Sequence, residues 1–284
     1  AASSVPLEVA VMDDPLATPE QAQTSQRRRF SRIPLRYVLP NLVTLLGLCL
    51  GLTAIRFAIE ARFDLAVYAI AGAAVLDGLD GRLARALNST SRFGAELDSL
   101  ADFIDFGVAP AMILYMWALN DIKSAGWFAA MVYAVACALR LARFNVAIDA
   151  PNKPKWAARF FVGMPSPAGA IVVLLPVYLT HSLFGFASGK AMVVALIIYT
   201  LLIAFLMVSR IPHLSGKEMG RVPREYFIVV LFGVVVAILF LYSFPMEVLA
   251  GLSVLYLAHI PFAYRRYRAL QRADIEAAAV ENSP

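Results

Sequence analysis

The sequence predicts an all-α membrane protein, a polytopic bundle of about eight transmembrane helices with a short interfacial segment at the N-terminal end. Composition is the first observation behind this class. Of the 284 residues, 60% are hydrophobic and only 16% are charged, whereas soluble domains are about half apolar and about a quarter charged. The second observation is that the apolar residues form runs long enough to cross a bilayer, which takes about 20 helical residues.

Eight apolar runs are predicted to span the membrane. They lie at about 38–60, 65–87, 94–119, 124–147, 165–187, 190–209, 225–243 and 246–264. Lys and Arg concentrate in cytoplasmic loops of membrane proteins. With a cytoplasmic N-terminus, nearly all of the 25 Lys and Arg residues fall on that side. We therefore predict that both ends of the bundle are cytoplasmic.

The chain ends are predicted to flank one membrane domain. Residues 1–26 are polar without apolar periodicity and are expected to form a disordered N-terminal tail. Residues 27–37 mix arginines with apolar residues, which suits either an interfacial segment or a positive-inside anchor. The domain is placed at 27–270, with the motif helices at 38–147 and a C-terminal tail at 271–284. The net charge is +5, but the basic residues behind it flank membrane segments, so no nucleic-acid partner is expected.

Four aspartates next to membrane spans indicate a functional site. Asp77 and Asp80 are three apart, Asp98 and Asp102 are four apart, and residues at such spacings share a helix face. Two helices joined by a short loop pack antiparallel, so both acidic faces can meet. Four converging carboxylates repel one another unless cations lie between them. The pattern therefore predicts one or two hard divalent metal ions with oxygen ligands.

The complete pattern, D-x2-D-G-x2-A-R-x8-G-x3-D-x3-D over residues 77–102, resembles the signature of the CDP-alcohol phosphotransferases. These membrane enzymes build phospholipids from CDP-linked donors, and the resemblance covers about residues 38–170. It implies two Mg²⁺ or Mn²⁺ ions held by Asp77, Asp80, Asp98 and Asp102. It also implies that Asp102 is the general base for the attacking alcohol, that CMP leaves, and that the enzyme is a homodimer. The Lys and Arg distribution places the acidic cluster at the cytoplasmic side, so we expect a bacterial cytoplasmic-membrane enzyme with its site facing the cytoplasm.

Further residues are expected to bind the donor, CDP-diacylglycerol. Small residues in the motif leave room for a planar or phosphorylated group, and the family resemblance adds a P-N-x-x-T segment, the motif arginine and a spacer hydroxyl. The set comprises Asn41, Thr44, Gly81, Ala84, Arg85, Ser91 and Gly94. For Thr44, a bond to its own helix backbone is the alternative reading.

Residues of the fourth span are predicted to select the acceptor. Arg140 and Arg143 are three apart near its cytoplasmic end and suit an acceptor carboxylate or phosphate, with snorkelling arginines as the alternative. The run R-L-A-R-F-N, ending at Asn145, and the segment G-M-P-S-P-A at 163–168 resemble the branch of the family that uses L-serine. Asp105 lies two turns beyond Asp98, where we expect it to contact the ammonium group of an amino alcohol or an arginine of the fourth span.

Three other functions remain open at this point. A sister enzyme would use glycerol 3-phosphate, inositol phosphate or choline, although choline carries no anion for the two arginines. A cation or proton transporter would place its aspartates near the membrane midplane, often in inverted repeats, and neither feature is apparent in this sequence. An inactive scaffold is disfavoured because all four motif aspartates are present.

Overall fold

The computed structural model describes residues 35–148, 160–181, 190–214 and 227–281. The predicted tail at 1–26 and most of the predicted interfacial segment lie outside these ranges. Within them the chain forms ten α-helices, one π-helical segment, one 3-10 turn and two three-residue strands. The helices are α1 Leu35–Ile59, α2 Phe63–Ala86, α3 Arg92–Asp102, α4 Ala109–Trp117, α5 Lys123–Ile148, α6 Ser166–Val173, α7 Leu175–His181, α8 Lys190–Val208, α9 Phe227–Ser243 and α10 Pro245–Glu281.

The predicted class, an all-α polytopic membrane bundle, is confirmed. Five stretches of the described helices are long and apolar enough to cross a membrane, namely Val38–Ile59, Arg92–Trp117, Leu119–Val146, Ala191–Val208 and Pro245–Arg272. The other three predicted spans correspond to α2, which carries charged residues, and to the shorter apolar helices Ser166–Thr180 and Val229–Ser243. The total of eight spans therefore stays a prediction.

Helices α1, α2 and α3 supply most of the residues that line the predicted site. Helix α1 packs along α2 and also contacts α3 and α4, while α5 packs against α8. Small side chains line the α1–α2 contact, where Ala54, Ala58, Ala66 and Ala73 are all at most 2% exposed. Such residues let helix backbones approach closely, which favours association inside a bilayer. This close packing holds the first polar turns of α1 beside the aspartates of α2.

A π-helical segment, Phe103–Val108, continues α3 and leads into α4. Wider turns of this kind displace backbone carbonyls from the regular helix ladder. Here the Tyr133 hydroxyl donates to the Phe106 carbonyl over 2.9 Å. A Cβ on Gly107 would lie 3.1 Å from Cβ of Cys137, so α5 crosses the segment closely. No feature of the sequence indicates this irregular turn, which starts at the residue after Asp102.

Two short strands tie the start of α6 to the end of α8. Strand β1, Phe160–Val162, pairs antiparallel with β2, Pro212–Leu214. Helix α10 contacts β2, α6 and α7, and its Ser253 hydroxyl donates to the Ile171 carbonyl of α6. Helix α10 continues to Glu281, so most of the predicted C-terminal tail at 271–284 is helical.

Candidate active site

Two connected features form the candidate site, a large cavity and a small acidic one. The large cavity has a volume of about 420 Å³ and lies between α1, α2, α3 and the 87–91 loop. The small cavity, about 10 Å³, lies between the aspartates themselves. Thr44, Asp80 and Asp98 line both cavities. These three residues therefore mark the boundary between the space for a ligand and the acidic group.

Three of the four motif aspartates form a compact group. Asp77, on α2, and Asp98 and Asp102, on α3, each offer a carboxylate oxygen, and these oxygens all lie within 4.8 Å of one another. Ligands on opposite sides of a divalent ion stand roughly 4–5 Å apart, because metal–oxygen distances are about 2.0–2.6 Å. The group therefore fits a hard divalent cation. The carboxylates of the two motif helices therefore meet, as the spacing predicted, and both helices pack against α1.

Asp80 stands outside this group and has a different partner. It is 4% exposed, and its Oδ2 accepts a 2.6 Å hydrogen bond from the Thr44 hydroxyl of α1. The same hydroxyl lies 3.2 Å from the Pro40 carbonyl of its own helix. The backbone contact given as the alternative for Thr44 is therefore present, and the shorter bond goes to Asp80. The contact of Thr44 with the donor stays a prediction.

All seven residues predicted to bind the donor line the large cavity. They are Asn41, Thr44, Gly81, Ala84, Arg85, Ser91 and Gly94. A Cβ on Gly81 would meet nothing within 4 Å, so packing does not require glycine there. A Cβ on Gly94 would lie 3.0 Å from Oδ1 of Asn41, so this glycine makes room for a polar side chain of the cavity wall.

The start of α3 also opens on the large cavity. Ser91 is the N-cap of α3, and its hydroxyl accepts a 3.0 Å hydrogen bond from the Gly94 amide. A helix N-terminus favours anionic groups, because its amides point outward and the helix dipole is positive there. With Arg85 in the wall, the cavity suits a phosphate-bearing ligand.

The sequence prediction omitted two polar residues of this cavity, Ser89 and Thr90. Asn88, two residues beyond the end of α2, adopts a left-handed conformation with φ of 49°, and Ser89 and Thr90 follow it at the cavity wall. The signal for them was available, because both hydroxyls lie in the short loop between the two motif helices.

The three predicted acceptor residues of α5 contact protein groups. Arg140 donates to the Ser166 hydroxyl and lies over the Phe144 ring, 5.7 Å from its centroid. Arg143 donates to the Val208 carbonyl at 2.6 Å and to the Ser209 carbonyl at 3.2 Å, at the end of α8. The Asn145 amide donates to the Ser99 hydroxyl at 2.9 Å. None of the three lines either cavity, so their acceptor role stays a prediction.

Asp105 is buried against α1. It is 3% exposed, and its Oδ1 accepts no hydrogen bond within the described parts of the chain. A Cβ on Gly51 would lie 2.0 Å from this oxygen, and one on Gly47 would lie 3.5 Å from Oδ2. No salt bridge joins Asp105 to an arginine of the described residues. Because the adjoining cavity holds about one water, an ammonium group could reach Asp105 only through water or after a helix movement.

Taken together, the membrane bundle, the cavity with Arg85 and a helix N-terminus, and the adjacent carboxylates define the class as a membrane protein whose site suits a divalent metal ion and a phosphorylated ligand. Comparison with known proteins identifies the family. The sequence profile described as CDP-alcohol phosphatidyltransferase matches residues 37–208, a range that contains both cavities. The chain therefore belongs to the CDP-alcohol phosphatidyltransferase family.

Relatives within this family share most of the chain. The protein is 40% identical over 244 residues to the CDP-diacylglycerol–serine O-phosphatidyltransferase of Mycobacterium leprae (strain TN), covering 86% of this chain and 80% of that one. It is 34% identical over 223 residues to the enzyme of the same name from Helicobacter pylori (strain ATCC 700392 / 26695), covering 78% and 89%. For the Bacillus subtilis (strain 168) enzyme of that name, identity is 36% over 191 residues, covering 64% and 97%.

Proposed function

We propose that the protein transfers the phosphatidyl group of CDP-diacylglycerol to the hydroxyl of L-serine, giving phosphatidylserine and CMP. The observation that carries the proposal is the position of Asp80 and Asp98, which line both the phosphate-compatible cavity and the acidic cavity. A diphosphate in the large cavity would therefore lie against the carboxylates. The donor and the acceptor in this proposal are the two substrates that appear in the names of the relatives.

The large cavity is the proposed donor site. Its volume of about 420 Å³ lies within the range of roughly 300–1,000 Å³ that small-molecule sites occupy. Arg85 and the N-terminus of α3 are suited to the diphosphate, since a guanidinium can donate two parallel hydrogen bonds to phosphate oxygens. The open space at Gly81 leaves the α2 backbone accessible to the ligand.

The carboxylates are the proposed site of Mg²⁺ or Mn²⁺, with two ions expected. Asp77, Asp98 and Asp102 would hold one ion, and Asp80 faces the same space from α2. A bound divalent ion would offset the negative charge of the diphosphate oxygens and of the departing phosphate. Thr44, by donating to Asp80, orients that carboxylate.

Asp102 is the proposed general base. It would take the proton of the serine hydroxyl as the hydroxyl oxygen forms a bond to the phosphorus that carries diacylglycerol, while the bond from that phosphorus to CMP breaks. A carboxylate within reach of the alcohol can perform this transfer. Asp102 is the last residue of α3 and faces the small cavity between the aspartates.

Serine is favoured over the other acceptors by the resemblance of the α5 and 163–168 segments and by all three relatives. Helix α5 contacts the segment around Asp102 on both sides, through Asn145 with Ser99 and through Cys137 with Gly107. Arg140 lies between these two contacts, so it is the residue proposed to bind the serine carboxylate beside the base. We place the site at the cytoplasmic face, following the distribution of Lys and Arg. The homodimer stays a prediction from the family resemblance.

The proposal is tested by CMP release from purified protein in micelles that contain CDP-diacylglycerol and Mn²⁺. Serine, glycerol 3-phosphate, inositol phosphate and choline are supplied in turn. We expect release with serine alone. CMP release that depends on another alcohol would support the proposed donor and contradict serine as the acceptor. Folded protein that releases no CMP with any of the four alcohols would contradict the whole proposal.

A further inference from the structure

The G-M-P-S-P-A segment and the two arginines of α5 form one structural unit. Ser166 Oγ accepts a hydrogen bond from Nη1 of Arg140. Three residues earlier, a Cβ on Gly163 would lie 2.7 Å from Nη2 of Arg143. The two chain segments thus run past each other in opposite directions, and each arginine meets one residue of the segment. This contact links two sequence features that the catalytic proposal leaves unconnected.

Backbone hydrogen bonds and two prolines hold the 163–168 segment in place. Gly163 has a φ of +82°, and its amide donates to the Ile211 carbonyl at 2.9 Å. The next amide, of Met164, donates to the Leu206 carbonyl at 3.3 Å. Ser166 itself is fully buried and lies between two prolines, whose rings restrict the backbone. The Ser166 hydroxyl is therefore held in place relative to the end of α8.

A hydroxyl partner leaves the charge of Arg140 available. A guanidinium has five N–H donors, and a neutral oxygen can orient it without cancelling its positive charge. A carboxylate in the place of Ser166 would form an ion pair and compete with an incoming anion. Arg140 lies on the stretch of α5 that passes Asp102, between the Asn145–Ser99 and Cys137–Gly107 contacts, and no salt bridge joins it to Asp102 within the described residues.

We propose that Ser166 is a positioning residue that orients the Arg140 guanidinium to bind the carboxylate of the acceptor. The inference rests on the proposed function, because it assumes an acceptor that bears a carboxylate. It assigns Ser166 a part in acceptor selection and none in the chemical step. Ser166→Ala should therefore raise the KM for serine while leaving kcat and the KM for CDP-diacylglycerol nearly unchanged.

The test combines steady-state kinetics with a double-mutant cycle. Ser166→Ala should raise the serine KM about 10-fold, the effect expected when a hydrogen bond to a charged group is lost. In an Arg140→Ala background, Ser166→Ala should raise the serine KM by less than about a further twofold, because the effects of two residues that act as a unit do not add. Ser253→Ala is the matched control, since Ser253 is equally buried and also contacts α6. The control should leave the serine KM unchanged.

A second arm uses ethanolamine, an amino alcohol without a carboxylate, as a competitor of serine. Its inhibition constant should be the same for the wild type and for Ser166→Ala. Equal weakening of serine and ethanolamine, or full additivity in the cycle, would overturn the inference. If Ser166→Ala does not fold, Arg140→Lys is measured instead. This variant should raise the serine KM and leave the inhibition constant of ethanolamine unchanged, and any other result would contradict the inference. Failure of the wild type to use serine would instead overturn the proposed function.

Discussion

The Thr44 hydroxyl donates a 2.6 Å hydrogen bond to Oδ2 of Asp80, across 36 positions of sequence. This bond joins α1 to α2 at the boundary between the large cavity and the acidic cavity. A hydroxyl has one proton to donate, and its contact with the Pro40 carbonyl is longer, at 3.2 Å. The P-N-x-x-T segment and the aspartate motif are therefore parts of one site.

Thr44→Val should weaken metal binding, because it removes the donor that orients Asp80. Loss of a group that supports a metal ligand typically costs about 10- to 100-fold in metal affinity or activity. We expect the Mn²⁺ concentration for half-maximal activity to rise at least about 10-fold. Thr53→Val is the control, since among the described residues the Thr53 hydroxyl donates to one group, the Cys49 carbonyl of the same helix. An unchanged Mn²⁺ dependence in Thr44→Val would contradict the role given to this bond.

Gly81→Ala should impair donor binding without harming the fold. The added methyl group would enter open space at the cavity wall, and one surplus methyl group in a binding site costs roughly 10-fold or more. We expect a higher KM for CDP-diacylglycerol and an equal or raised melting temperature. Gly78→Ala is the matched control, because Gly78 lies three residues earlier in open space and lines neither cavity. Equal donor KM values in both variants would disprove the prediction.

Gly51→Ala should destabilise the fold. The new Cβ would lie 2.0 Å from Oδ1 of Asp105 and 3.1 Å from its Cα, so α1 or the π-helical segment must move. Overpacking of this kind costs about 1–3 kcal/mol. Thermal unfolding in detergent should show a lower midpoint, and adding Asp105→Ala should recover part of the loss. Gly251→Ala, where nothing lies within 4 Å, should not lower the midpoint.

Asp105→Asn tests the predicted contact with the acceptor ammonium. The substitution keeps the shape of the side chain and removes its negative charge, so the serine KM should rise about 10-fold, the effect of losing one hydrogen bond to a charged group. The KM for CDP-diacylglycerol should stay the same. A folded variant with an unchanged serine KM would show that Asp105 serves only the packing of α1.

The sequence was sufficient to predict the class of fold and the meeting of the aspartates. Helical periodicity places Asp77 on one acidic helix face and Asp98 and Asp102 on another, and the short loop keeps these two faces close together. The seven residues predicted to bind the donor share one cavity, because α1, α2 and α3 follow one another along the chain. Ser89 and Thr90 could have been added from their place in the connecting loop.

The contacts of α5 could not be read from the sequence. Arg143 donates to carbonyls at the end of α8, and Arg140 meets Ser166 at the start of α6. Both contacts depend on how distant helices pack, and apolar periodicity leaves that packing undetermined. The π-helical segment has a similar origin, since the Tyr133 hydroxyl from another helix satisfies the Phe106 carbonyl there.

The most direct test of the central claim is the lipid product formed by wild type and Asp102→Asn in micelles with CDP-diacylglycerol, L-serine and saturating Mn²⁺. The account predicts phosphatidylserine and an equal amount of CMP from the wild type. It predicts loss of both, by at least about 100-fold, from a folded Asp102→Asn variant. Phosphatidylserine formation at the wild-type rate by Asp102→Asn would contradict the role of the base, and a wild type that makes no phosphatidylserine would contradict the proposed function.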